Sequence, residues 1–154
     1  MKQRRREPMN LPLELGGFLC FAIYSASHAF NRVYQPLLRE LDLTYPQFIA
    51  MILLWGEDDQ TVGEIGEKLF LQSNTLTPML KRLETLGYIK RNRDSADERQ
   101  VRIKLTESGR KLRVRAFDIV RRVRNATGLQ DAQFKDLVKN VDSLRKALES
   151  QHPK

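Results

Sequence analysis

Apolar residues recur at three- and four-residue steps from Leu15 to Leu37, through Leu19, Ala22 or Ile23, Ala26, Ala29 or Phe30, and Val33. That period predicts a long amphipathic helix, which Pro36 is expected to kink or break near Tyr34. Residues 1–12 are polar and basic, carry Pro8 and Pro12, and read as a mobile arm. A second helix is expected after Thr44, with Pro46 in its first turn, running through QFIAMILLW to about Trp55. After the polar turn GEDDQ, Thr61 followed three residues later by Glu64 forms a capping box for a third helix, whose shared face is Val62, Ile65 and Leu69. Ser73 or Asn74 can cap a fourth helix, with a stripe of Leu76, Met79 or Leu80, and Leu83 and with Pro78 near its first turn. Gly87 is placed to stop it.

The period then changes from that of a helix to that of a strand. Tyr88 and Ile89 lead into one short strand, and Val101, Ile103 and Leu105 alternate with Arg102 and Lys104 in another. The charged DSADE between them makes this a hairpin. Thr106 caps a fifth helix. Asp131 is expected to cap a last one, in which Phe134, Leu137, Val138, Val141, Leu144 and Leu148 repeat at helical steps. The fold class is therefore mainly α with a small β-wing. Residues 13–44 form an N-terminal helical region, 45–105 a winged helix-turn-helix, and 106–154 C-terminal helices. The long apolar stripes at both ends exceed what so small a wing domain can bury, which points to a homodimer.

Charge narrows the function. The net charge is +8, and the stretch from Lys81 to Arg115 holds twelve lysines and arginines against five acids. A basic excess concentrated on a helix and hairpin suits double-stranded DNA better than a merely solvated face. In this arrangement the second helix of the pair can enter the major groove. Ser73, Asn74, Thr75 and Thr77 are short hydrogen-bonding residues at its start, and Lys81 and Arg82 lie a turn later, suited to phosphate. Arg93, Arg99 and Arg102 ride on the wing. An arginine at its tip can enter a narrow minor groove, and Asp97 can hold the Arg99 guanidinium in one orientation.

Composition excludes other classes. One cysteine, Cys20, and two histidines, His28 and His152, leave neither a disulfide framework nor a dedicated metal site, and no cofactor is implied. The single thiol suits a reducing, cytoplasmic compartment. The basic start followed by the apolar run Leu15–Ile23 imitates a secretory signal, but Glu7, Glu14, Gly16 and Gly17 interrupt it, and no segment is long enough to span a membrane.

The stretch SNTLTPMLKRLETLGYIKRNRDSADERQVRIKLTESG resembles the MarR family of bacterial regulators, whose wing carries the Asp97-x-Arg99 pattern. LCFAIYSAS, VYQPLLRELDLTYPQF and LTPMLKR narrow the resemblance to the organic hydroperoxide resistance regulator (OhrR) subgroup, thiol-based peroxide sensors. It runs from about Leu15 to Ala116. It implies a DNA-binding repressor, not an enzyme, acting as a dimer on an inverted-repeat operator. It also implies that Cys20 is the peroxide-reactive residue, with Tyr34 and Tyr45 of the partner subunit hydrogen-bonding its sulfur. Some members carry a second, resolving cysteine; this chain resembles the one-cysteine type, in which a low-molecular-weight thiol captures the sulfenic acid.

The residues themselves weigh the same way. A lone cysteine is most often a small apolar core residue. Here Tyr24, Tyr34 and Tyr45 supply phenolic donors that a thiolate can accept. Phe18, Phe21 and Phe48 would make an apolar pocket favouring organic hydroperoxides. His28 reads as a surface residue and Trp55 as core. Three other readings compete: a MarR-type repressor released by a small aromatic ligand with Cys20 structural, a one-cysteine thiol peroxidase, and a nucleoid protein without sequence preference. The peroxidase is disfavoured because no thioredoxin-like strand-helix pattern surrounds Cys20.

Overall fold

The computed structural model describes residues 14–151. The basic arm expected at residues 1–12, the first residue of the region expected at 13–44, and His152 lie outside the described residues. Six α-helices and three short strands follow in order: α1 (Leu19–Arg39), α2 (Tyr45–Gly56), β1 (Gln60–Thr61), α3 (Val62–Leu69), α4 (Ser73–Thr85), β2 (Ile89–Arg93), β3 (Val101–Leu105), α5 (Glu107–Ala126) and α6 (Asp131–Gln151). A single 3-10 turn, Leu15–Gly17, precedes α1.

The local signals act where sequence put them. The Thr44 N–H donates to Gln47 Oε1 at 2.8 Å ahead of α2. Ahead of α3, Thr61 N–H donates to Glu64 Oε2 at 2.7 Å and Glu64 N–H returns to Thr61 Oγ1 at 3.2 Å. Donation from the Thr61 N–H, and then from its hydroxyl at 2.9 Å, holds the Glu64 carboxyl below the usual carboxylate range. Thr106 Oγ1 accepts from Gly109 N–H at 3.0 Å and caps α5. Gly87, at φ +78°, turns the chain from α4 into the hairpin.

Other expectations need correction. Pro36 does not break α1, which runs on to Arg39. Proline's fixed φ is helical, its missing donor falls near the helix end, and buried Leu37 and Leu38 anchor that last turn. The cap of α4 is Gln72 rather than Ser73 or Asn74, and Ser73 is already helical. Asp131 likewise lies inside α6, where Phe134 N–H reaches Gln130 O at 2.9 Å.

The sheet order is β1-β3-β2, antiparallel throughout. Ile89 pairs with Leu105 and Arg93 with Val101, so the hairpin projects its basic end from the body. Leu38, Phe48, Met51, Leu54, Ile65, Leu76, Leu80, Leu83, Ile89 and Ile103 form a core that joins the end of α1 to α2, α3, α4 and the sheet. Leu112, Ala116, Ile119 and Val123 lock α5 against it.

Two helices leave long apolar faces uncovered. In α1 only Leu37 and Leu38 are buried, while Leu15, Leu19, Ile23, Phe30 and Val33 around and along it are exposed. No residue of α6 is buried, although Leu137, Val138, Val141 and Leu148 keep the apolar period. No helix among the described residues is long and apolar enough to cross a membrane.

Candidate functional site

At the start of α4, Ser73, Asn74 and Thr75 are exposed; Thr77 is half-buried, because its position turns toward the core stripe of Leu76 and Leu80. Lys81 is exposed. Arg82 is exposed too, and its guanidinium lies 3.3 Å from Asp42 Oδ2. The helix thus presents hydroxyls and an amide at its positive end and cations further along.

Two aspartates staple the wing tip. Asp94 Oδ1 accepts from the N–H groups of Ala96 at 2.7 Å and Asp97 at 3.3 Å. Asp97 Oδ1 accepts from Arg99 N–H at 3.1 Å and from Arg99 Nε at 3.2 Å, as the Asp-x-Arg spacing led one to expect. Backbone N–H donation from Arg99, then its side chain, holds the Asp97 carboxyl below the usual range. The Arg99 side chain is 93% exposed, so its outward N–H groups stand clear at the tip. Arg93 is exposed as well.

Arg102 departs from the expectation of a free wing cation. Its Nε donates to Asp59 Oδ1 at 2.7 Å, its Nη1 to Asp94 Oδ2 at 3.0 Å, and its Nη2 to the Asp59 carbonyl. The guanidinium bridges the turn before β1 and the start of the wing's tip turn, so it clamps the hairpin to the body. Asp59 is held below the carboxylate range first by the Arg102 hydrogen bond and then by Lys104; Asp94 first by the Ala96 N–H and then by Arg102. Asp58 adds a second clamp: Oδ1 accepts from Leu105 N–H and Oδ2 pairs with Arg110, at 2.8 and 2.6 Å. Sequence reasoning missed Asp58 and Asp59 because each acts on a partner more than forty residues away, and GEDDQ reads locally as a polar turn.

The thiol lies elsewhere. Cys20 is exposed on the first turn of α1, among the apolar residues this helix leaves uncovered. Tyr24 is one turn on and 60% exposed, with its ring 4.3 Å from that of His28. Tyr34 and Tyr45 are together: their rings lie 4.9 Å apart, where the end of α1 meets the start of α2. Burial, with Tyr45 alongside, pushes the Tyr34 phenol above its usual pKa, so it stays protonated and able to donate. Fourteen residues separate Cys20 from Tyr34 on one continuous helix, about 21 Å along its axis. This tyrosine pair does not reach the Cys20 of its own chain.

The expected apolar pocket is also divided. Phe18 and Phe21 flank Cys20, but Phe48 is fully buried beneath Tyr34, 5.8 Å between ring centres. It belongs to the buried core, so within one chain it lines no Cys20 pocket.

A helix pair followed by a hairpin wing, with a basic exposed face and a locked core, is the winged helix-turn-helix arrangement of transcriptional regulators. Residues 32–115 match the family described as Transcriptional regulator SarA/Rot. The chain is 43% identical over 142 residues to the organic hydroperoxide resistance transcriptional regulator of Bacillus subtilis (strain 168), covering 92% of this chain and 95% of that one. It is 46% identical over 137 residues to the HTH-type transcriptional regulator TtmR of Methylorubrum extorquens (strain PA1), covering 89% and 70%. Among solved structures it is similar to AbfR of Staphylococcus epidermidis, at 35% identity and a TM-score of 0.74 over 88% of this chain and 94% of that one. The structure of reduced AbfR bound to DNA matches at 36% identity and a TM-score of 0.73, over 87% and 93%. The chain therefore belongs to the SarA/Rot family of transcriptional regulators, with the MarR-type winged helix, and stands with the organic hydroperoxide resistance regulators within it.

Proposed function

We propose that this regulator is a DNA-binding repressor that works as a homodimer, senses organic hydroperoxides through Cys20 and releases its operator when that thiol is oxidised. The observation that carries the reading is the separation within α1. An exposed thiol lies on an uncovered apolar helix face, and the phenol pair suited to it is about 21 Å away on the same helix. A second copy crossing α1 in the opposite sense brings its Tyr34 and Tyr45 to Cys20 while covering both apolar faces, and α6 supplies the rest of the interface. Tyr24, on the thiol's own helix, completes the set of donors. Phe18 and Phe21 form the pocket on one side, and Phe48 supports the tyrosines that arrive from the other.

In the reduced dimer the starts of the two α4 helices enter successive major grooves of an inverted repeat, about 34 Å apart. Ser73, Asn74, Thr75 and Thr77 meet base edges and nearby phosphates, Lys81 and Arg82 meet the backbone, and Arg93 and Arg99 follow the wing. Arg102 acts by holding the wing in place. A protein with this role works beside the chromosome, in the cytoplasm.

The chemistry at Cys20 is one displacement. The thiolate attacks one peroxide oxygen of ROOH, the O–O bond breaks, and the alkoxide leaves and takes up a proton as ROH; sulfur becomes a sulfenic acid. A low-molecular-weight thiol then displaces hydroxide, giving a mixed disulfide and water. The adduct no longer accepts from the phenols as a thiolate does, and it overfills an apolar interface. Overpacking costs about 1–3 kcal/mol. Passed on to the spacing of the α4 helices, that is roughly a 5- to 140-fold loss of DNA affinity, at about 1.4 kcal/mol per decade.

The test is fluorescence anisotropy on an inverted-repeat operator upstream of the protein's own gene. Wild type and Cys20→Ser are compared before and after an organic hydroperoxide with a small thiol. Release by wild type alone supports the reading. Equal release by both, or release by neither, overturns the sensing role of Cys20.

A further inference from the structure

We propose that the cleft between the end of α1, the start of α2 and the last turn of α4 binds a small free oxyanion, of phosphate or carboxylate type, between Arg39 and Arg82. The cleft has a volume of about 280 Å³ and is lined by Arg39, Asp42, Leu43, Thr44, Gln47 and Arg82. No function described above uses it as a site.

Its donors outnumber its acceptors. Gln47 is only 6% exposed, and its Oε1 is committed to the Thr44 N–H at 2.8 Å. That bond fixes which way the carboxamide points and leaves the two Nε2 donors with no acceptor among the described residues. The nitrogen is not sealed from solvent, so an entering ion can reach both donors. Arg39 makes no ion pair among the described residues. Arg82 has only Asp42, at 3.3 Å, and that carboxylate is 71% exposed. Asp42 itself is held in the turn at φ +55°, with its N–H on Arg39 O at 3.1 Å. Two guanidiniums and one carboxylate, beside the positive end of the twelve-residue α2, leave the cleft positive. Guanidinium forks and a carboxamide match the geometry of an oxyanion.

The two arginines stand on different walls of a concavity, which suits an ion that enters it. An occupant would draw Arg82 away from Asp42 and would tie the sensor helix to the recognition helix.

The probe is inorganic phosphate against chloride at equal ionic strength, read by thermal unfolding of the full chain without DNA. The melting temperature of wild type rises and saturates in phosphate. Arg39→Gln and Gln47→Glu lose the phosphate-specific rise; the second keeps the acceptor for Thr44 but puts an anion in the cleft. Arg39 is exposed, so its variant decides the matter even if Gln47→Glu does not fold. A rise shared equally by all three proteins, or no rise in wild type, overturns the site. A second arm rests on the reading of Arg82 as a phosphate contact. Phosphate weakens operator binding by wild type about threefold or more, and Arg39→Gln binds as wild type does in chloride but ignores phosphate. If instead Arg39→Gln binds the operator less well in chloride, with a salt slope lower by about one, the occupant is a duplex phosphate and the free-ion proposal falls.

Discussion

Gly109→Ala tests the joint between the wing and the dimer helix. Gly109 lies in the first turn of α5, and a Cβ added there would stand 2.0 Å from the Tyr88 carbonyl oxygen, where real Cβ atoms essentially never approach below 3.0 Å. Tyr88 must therefore move by about 1 Å or more. It is held on that spot, because its carbonyl accepts from Thr106 N–H at 3.1 Å and its chain continues directly into β2. The same glycine's carbonyl accepts from Trp55 Nε1 at 2.8 Å, so the displacement also strains the contact with α2. Overpacking costs about 1–3 kcal/mol and a weakened hydrogen bond about 1. Together these predict a loss of roughly 2–4 kcal/mol, or about 5–15 °C in melting temperature for a chain of this size. The assay is thermal unfolding at fixed protein concentration, with Gly63→Ala as control. Gly63 is inside α3, where a Cβ meets nothing closer than Thr61 Oγ1 at 3.9 Å, and the change is expected to stabilise by about 0.5–1 kcal/mol. A Gly109→Ala protein that melts within a degree or two of wild type would refute the close approach on which this joint depends.

Other outcomes follow from the wing. The lowered carboxyls of Asp59 and Asp94 give stability that is present above the ordinary carboxylate value and is lost as pH falls through their lower folded values. Urea unfolding between about pH 2.5 and 5 is expected to show a steeper acid loss for wild type than for Arg102→Met; parallel curves would remove the clamp from the account. Arg99→Ala is expected to leave the melting temperature unchanged, to weaken operator binding by about tenfold, and to lower the salt slope by about one. A variant with unchanged affinity would take Arg99 out of the interface.

The structure shows why some of this was legible beforehand. Thr61 with Glu64, Thr106, and Gly87 act within a few residues of themselves, so their roles are written locally. The alternation in Val101–Leu105 likewise fixed a strand and its hairpin. The two-residue β1 was missed, since Gln60 and Thr61 pair with Arg102 and Ile103 far along the chain and carry no alternation of their own. Pro36 misled because helix-breaking is a local cost that the burial of Leu37 and Leu38 overrides. Arg102 misled because its partners come from two other turns. For the thiol, motif resemblance pointed to Cys20, Tyr34 and Tyr45. Only the unbroken length of α1 shows that they are too far apart to meet within one chain.

The central claim is that the peroxide site is completed across two subunits, and mixed dimers test it most directly. One subunit carries Cys20→Ser with both tyrosines intact; the other keeps Cys20 but carries Tyr34→Phe and Tyr45→Phe. Sulfenic acid formation at the remaining Cys20 is timed under a limiting organic hydroperoxide, against a homodimer of the doubly substituted subunit. If the tyrosines come from the partner, the mixed dimer holds one whole site and its thiol reacts at the wild-type rate. If the mixed dimer reacts as slowly as the Tyr→Phe homodimer, the partner's phenols do not serve Cys20, and the account of the sensor is wrong.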